Sequence, residues 1–233
     1  MTGKGKSLRR SSGSEIDAFL AKARELAPAR GGGGRLLFAL DATASREPVW
    51  DRAMQIQAGM FLEASRIGSL SVKLAYYRGF MECRALPWSK NGAELLERMT
   101  AIRCAAGTTQ IERILDLALT ESAREKLAAM VFVGDAMEEN PDRLAGLAGR
   151  LGIHGVPVFV FQDGFDPTAE KTFREIARLS GGAWCRFDAG SAAELRDLLC
   201  GVAVFAAGGA RALADFSRGR SGALKLLTRR VKS

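Results

Sequence analysis

The sequence predicts an α/β protein: a doubly wound, mostly parallel six-stranded sheet with one antiparallel edge strand and helices on both faces. Three observations predict it. Short apolar runs such as Leu36 to Leu40 and Met130 to Val133 have the length and continuity of strands covered on both sides. Segments with apolar residues at helical spacing alternate with these runs, which implies right-handed crossovers along a parallel sheet. One pair of runs is joined by a tight turn near Arg78-Gly79, so its second member is antiparallel and lies at an edge.

At 233 residues the chain can bury one substantial core. We divide it into a basic leader with a short helix and a glycine hinge over 1–34, an α/β domain over 35–216, and a basic tail over 217–233. Met1 to Gly13 is polar and is expected to be disordered. Ser14 and Asp17 can cap a short helix that gathers Ile16, Phe19, Leu20 and Ala23 on one face. Gly31 to Gly34 precede the first strand, whereas a dinucleotide-binding glycine motif follows a strand and opens a helix; the run reads as a hinge.

Leu36 to Leu40 is the first strand. Pro48 suits the first turn of a helix whose buried side carries Trp50, Ala53, Met54, Ala58, Phe61 and Leu62. Strands over Leu70 to Tyr77 and Gly79 to Cys83 follow, then a helix over Gly92 to Ile102. After the loop AGTTQ, Ile111, Ile114, Leu115, Ala118 and Leu119 mark the next helix. The remaining alternation is strand Ala128 to Val133, helix Pro141 to Leu151, strand Val156 to Phe161, helix Thr168 to Leu179 and strand Ala183 to Phe187. Ser191 to about Phe216 closes the domain as a helix.

Composition narrows the functional classes. The net charge of +8 sits at the ends, with +5 on residues 1–35 and +6 on residues 211–233, leaving −3 on 36–210. The basic character therefore belongs to arms rather than to a face of the core. Cys83, Cys104, Cys185 and Cys200 lie far apart without a CxxC, and His154 is the sole histidine, so a structural zinc site is not expected. Free thiols point to a reducing, cytoplasmic setting. No apolar segment follows MTGKGKSLRR, so no signal peptide is expected, and the longest apolar run, Leu198 to Ala210, is too short to span a bilayer.

The chemistry concentrates where the first strand ends. Asp41, Thr43 and Ser45 alternate along RLLFALDATASR, so their oxygens can converge on one point, as ligands of a hard cation do. Asp135 ends the strand that begins the second half of the sheet. A doubly wound order sets those two strands side by side, so both carboxylates can flank one ion. Taken singly, each residue is also ordinary turn or capping chemistry. Glu138 and Glu139 are expected to cap the helix that follows them, and Asp163 and Asp166 to serve a turn.

Asp41-Ala42-Thr43-Ala44-Ser45, Gly107-Thr108-Thr109-Gln110-Ile111 and Phe132-Val133-Gly134-Asp135 together resemble the von Willebrand factor A (VWA) domain over about residues 35–215. The metal-ion-dependent adhesion site (MIDAS) of that family combines Asp-x-Ser-x-Ser, a distant Thr and a later Asp. The resemblance implies that Thr43, Ser45 and Thr109, or Thr108 in its place, ligate Mg²⁺ or Mn²⁺ through hydroxyls. Asp41 and Asp135 would stand mostly one layer further out, holding waters. Two departures stand out: Thr43 replaces the usual Ser, and Gly134 and Ala136 replace the commoner Ser/Thr-Asp-Gly surround.

The function expected from the resemblance is a non-catalytic, metal-dependent protein-binding module, a scaffold or adaptor that captures an Asp or Glu of a protein partner. An Mg²⁺-dependent phosphoryl-transfer or hydrolytic enzyme using Asp41 is the first alternative. It lacks the second acid that such chemistry usually places two residues on, and position 43 is Thr. Polyanion binding through the basic ends is the second, without the stacking aromatics of a specific nucleic-acid reader.

Overall fold

The computed structural model describes residues 34–48, 70–187, 197 and 200–206. The apolar runs become β1 (Arg35–Asp41), β2 (Ser71–Arg78), β3 (Glu82–Ala85), β4 (Ala129–Gly134), β5 (Val158–Asp163) and β6 (Ala183–Phe187). They form one sheet in the order β3-β2-β1-β4-β5-β6. Among the described strands, β2 and β3 pair antiparallel and every other pair is parallel. Among the described residues, four α-helices lie between the strands: α1 (Gly92–Thr100), α2 (Ile111–Arg124), α3 (Pro141–Ile153) and α4 (Pro167–Ser180). The doubly wound sheet with an antiparallel edge is therefore the architecture of the chain.

Strand pleating sends alternate residues of β1 into two cores. Leu36, Phe38 and Leu40 pack with Leu95 and Met99 of α1 and with Val202 and Phe205 of the helical residues 200–206. Leu37 and Ala39 face the other way, toward Ile114 and Leu115 of α2, Leu144 and Leu151 of α3, and Phe173 and Ile176 of α4. At the amino end of the sheet, buried Glu121 of α2 accepts from Arg35 Nη2 at 3.2 Å, Lys73 Nζ at 3.0 Å and Trp88 Nε1 at 3.0 Å. Because α2 runs antiparallel to the strands, this anchor sends its first residue, Ile111, to their carboxyl ends. Those ends, where β1 and β4 lead away in opposite directions, form the crevice in which such folds place ligands.

Several elements differ from the sequence reading, each for a local reason. The third strand begins at Glu82 instead of Gly79, because residues 79–81 form the turn and Gly79 takes φ 58°. The fifth begins at Val158 instead of Val156, since Pro157 has no N–H for the ladder. Helix α4 starts at Pro167 instead of Thr168, behind the capping side chain of Asp166, whereas α3 starts at Pro141 as expected, behind that of Asn140. Residues 47–48 are helical, but the leader helix, the glycine hinge, most of the Pro48 helix and most of the closing helix lie outside the described residues. So do the basic ends. Among the described residues, no helix is long and apolar enough to cross a membrane.

Candidate metal centre

β1 carries the chain to Asp41, and Ala42 N still donates to Tyr77 O at 2.9 Å, so the sheet reaches the first site residue. Thr43 is extended, at φ −74° and ψ 160°, and Ala44–Arg46 then tighten into one 3₁₀ turn. That turn curls Ser45 back over the strand end. Thr43 donates to Asp41 Oδ1 twice, from its backbone N at 2.8 Å and from Oγ1 at 2.6 Å. Ser45 Oγ lies 3.1 Å from Thr43 Oγ1. The three side chains do converge, but the turn brings them together rather than the alternation of a straight strand.

Asp41 is fully buried, and its second oxygen accepts from Tyr77 OH at 2.8 Å. Burial pushes its carboxyl up from 3.8 to about 6; the Thr43 hydrogen bonds work against the rise, Asp135 adds to it and Arg46 opposes it. The same burial, with the carboxylate beside it, raises the Tyr77 hydroxyl well above its ordinary value. Tyr77 therefore stays a donor.

Asp135 follows β4 directly and repels Asp41 across the crevice. Its Oδ1 is buried and receives no hydrogen bond among the described residues. A carboxylate oxygen sealed from water with no donor is costly unless a cation faces it. Gly134 explains one departure from the MIDAS pattern. A Cβ there would come within 2.8 Å of the Phe132 ring and 3.5 Å of Asp41 Cβ. Phe132 in turn stacks against Tyr77 at 6.4 Å, so the glycine leaves room for the aromatic wall that holds the Tyr77 hydroxyl on Asp41.

Arg46 was not foreseen from the sequence. It is 0 % exposed, donating from Nη1 to the carbonyls of Asp41 at 3.0 Å and Val133 at 3.4 Å. Its Nη2 lies 3.5 Å from Asp163 Oδ2, so Asp163 belongs to this rim and not simply to a turn. Burial raises the Asp163 carboxyl, with Arg46 opposing and Asp135 adding to the shift. One guanidinium thus ties the ends of β1, β4 and β5 and offsets one of three carboxylates. The excess negative charge and the all-oxygen donors fit a hard divalent cation.

The AGTTQ loop reaches the same rim through a bridge between Thr43 and Ala105, with Ala105 N donating to Ala42 O at 3.1 Å. Thr109 is buried, whereas Thr108 is exposed. Thr109 N donates to Glu138 Oε2 and Thr109 Oγ1 accepts from Glu138 N, both at 3.1 Å. This two-bond clasp leaves the Thr109 hydroxyl proton and a lone pair for another partner.

Glu139 reaches back as well, accepting from Ile111 N at 2.7 Å and Glu112 N at 2.8 Å. The two glutamates therefore serve the preceding loop and helix, correcting the expectation that they cap the next one; Asn140 does that. Glu139→Ala removes the acceptor for two N–H groups of α2 and should cost about 1–2 kcal/mol in urea unfolding.

A sheet of this order, with a carboxylate and hydroxyl rim at the carboxyl ends of β1 and β4, has the VWA fold. Solved structures of that fold resemble the chain. The VWA domain of SpRpn10 aligns with a TM-score of 0.57 at 12% identity, covering 71% of this chain and 93% of that one. The von Willebrand factor type A protein from Catenulispora acidiphila aligns at 0.55 and 16%, covering 74% and 43%. The pilus adhesin SpaC from Lactobacillus rhamnosus GG, in its open conformation, aligns at 0.61 and 11%, covering 82% and 31%. At such identities the likeness is one of fold. No protein-family model matches the chain, and a comparison with curated proteins finds no match.

Proposed function

We propose that this chain is a protein-binding module in which Asp41, Thr43, Ser45, Thr109 and Asp135 hold one Mg²⁺ or Mn²⁺ ion and present it to an acidic side chain of a partner. The observation that carries the reading is the convergence of the Asp41, Thr43 and Ser45 oxygens at a rim where the buried Oδ1 of Asp135 has no donor among the described residues. Once bound, the ion would supply a Lewis-acidic position that a partner carboxylate can occupy. The chain's own part is orientation. Asp41 fixes the Thr43 hydroxyl, Tyr77 fixes Asp41, and Glu138 fixes Thr109. We favour Thr109 over Thr108 as the loop ligand because Thr109 is the buried, clasped residue.

The neighbours named as adhesin and VWA domain support an interaction role for the fold. A nucleophilic role for Asp41 is disfavoured by its full burial and its hydrogen bonds: Oδ1 accepts two and Oδ2 accepts one, which occupies three of its roughly four lone-pair sites. A reducing, cytoplasmic setting is part of the proposal, on the wide spacing of Cys83, Cys104, Cys185 and Cys200 along the sequence.

The test immobilises matched peptides bearing Asp and Glu, or Asn and Gln in their place, and measures retention of the chain in Mg²⁺ and in EDTA. Retention is expected on the acidic peptides in Mg²⁺ alone, with no phosphate released from an aryl phosphate. Equal retention on the amide peptides, or retention indifferent to EDTA, contradicts the reading.

A further inference from the structure

We infer that the tip of the β2–β3 hairpin is an apolar anchor beside the cation site, built for a partner segment that carries a large apolar side chain within two residues of its acidic one. The inference rests on the metal-binding reading of the site and adds the second half of the recognition. Phe80 is 72% exposed and Met81 is 82% exposed. Single exposed apolar residues are ordinary on protein surfaces. Two adjacent ones on a turn, locked in place, are not.

The lock is extensive. Gly107 packs so tightly on Gly79 that a Cβ would lie 2.0 Å from the Gly79 carbonyl oxygen, and Thr108 N donates to that oxygen at 3.3 Å. Gln110 Nε2 donates to the carbonyls of Arg78 and Gly79, each at 3.2 Å. Arg113 Nη1 donates to Met81 O at 2.7 Å and to Gln110 Oε1 at 2.6 Å. The residues that grip the tip, Gly107 to Gln110, are those that flank and include Thr109. A partner carboxylate at the cation and a partner side chain on Phe80 and Met81 would therefore meet one continuous, prearranged surface, with little ordering left to be lost on binding.

Charge selects the same partner. Arg113 and Arg103 are exposed around the tip, and Arg78 donates to Arg103 O at 2.8 Å while pairing with Glu82 at 2.8 Å. Arg84 shares Glu82 at 2.9 Å. Glu138 and Glu139, the acids of the adjoining loop, are engaged by the backbone N–H groups of Thr109, Ile111 and Glu112. Four guanidiniums stand around the tip against Glu82, Glu138 and Glu139, and the cation held by the aspartate rim would add to a field that favours an acidic segment over a basic or neutral one.

A displayed library of random dodecapeptides, panned on the full chain in Mg²⁺, tests this. Retained peptides are expected to carry Asp or Glu within two residues of Phe, Leu, Ile, Met or Trp. Phe80→Ser/Met81→Ser, a change confined to exposed side chains, should retain those peptides at least tenfold less than the unaltered chain while binding Mg²⁺ equally. Absence of any retained peptide, acidic peptides without apolar neighbours, or equal retention by the double variant would each overturn the inference. Panning repeated in EDTA separates the two claims: an apolar preference that persists there and disappears in the double variant leaves the anchor standing and defeats the metal reading.

Discussion

Arg46→Met should destabilise the fold by about 3–5 kcal/mol, the usual cost of removing one partner from a buried ion pair. Methionine keeps the length and flexibility of the side chain, so the loss is one of charge and hydrogen bonds rather than of volume. Three things are lost together. The carbonyls of Asp41 and Val133 lose a donor, Asp163 loses its counter-ion, and Asp41 loses the charge that opposes its desolvation. Urea unfolding reads the effect. Adding Asp163→Asn to Arg46→Met should recover part of it, because the second change removes the carboxylate stranded by the first. A loss under about 1 kcal/mol, the range of an exposed pair, would mean that the guanidinium does not brace the strand ends.

The second large effect belongs to Asp41→Asn, which should weaken Mg²⁺ binding by about 10–100-fold, as expected when a group that orients the ligands is changed. It should also change how stability depends on pH. The folded-state value of Asp41 is raised from 3.8 to about 6 by burial, so the folded state holds its proton more tightly than the unfolded chain does. The associated stability is present in full below 3.8 and is lost as pH rises through about 6. Asp163, also raised by burial, acts in the same direction. In EDTA, then, the unaltered chain should lose urea resistance between about pH 4 and 6.5, and Asp41→Asn should flatten most of that slope. A slope identical in both proteins would locate the titration elsewhere.

The sheet was legible because its signals are local. The run Leu36 to Leu40 is apolar at every position, and β1 is in fact buried on both faces. The crossovers follow from chirality once strands and helices alternate. The Asp41, Thr43 and Ser45 cluster was legible for the same reason, since it spans five residues. Arg46 was not, although it is the next residue but one to Ala44. An arginine in a loop reads as solvated, and its burial depends on Val133 and Asp163, 87 and 117 residues away.

Tyr77 read as a strand aromatic with nothing to mark its hydroxyl, because Asp41 is 36 residues off. Glu138 and Glu139 were assigned to the wrong helix since capping signals in sequence look forward, whereas here the chain folds back on Thr109 and Ile111. What the sequence leaves out is thus the set of contacts that turn a motif into a supported site.

The most direct measurement is a calorimetric titration of the chain with Mg²⁺, repeated with Ser45→Ala and Asp135→Asn. Ser45 is exposed and Asp135 follows its strand, so neither change removes a core contact. A single saturable Mg²⁺ site in the unaltered chain, weakened in both variants with neither variant less resistant to urea in EDTA, is the predicted result. No heat of binding in the unaltered chain, or binding that both variants retain in full, would contradict the account.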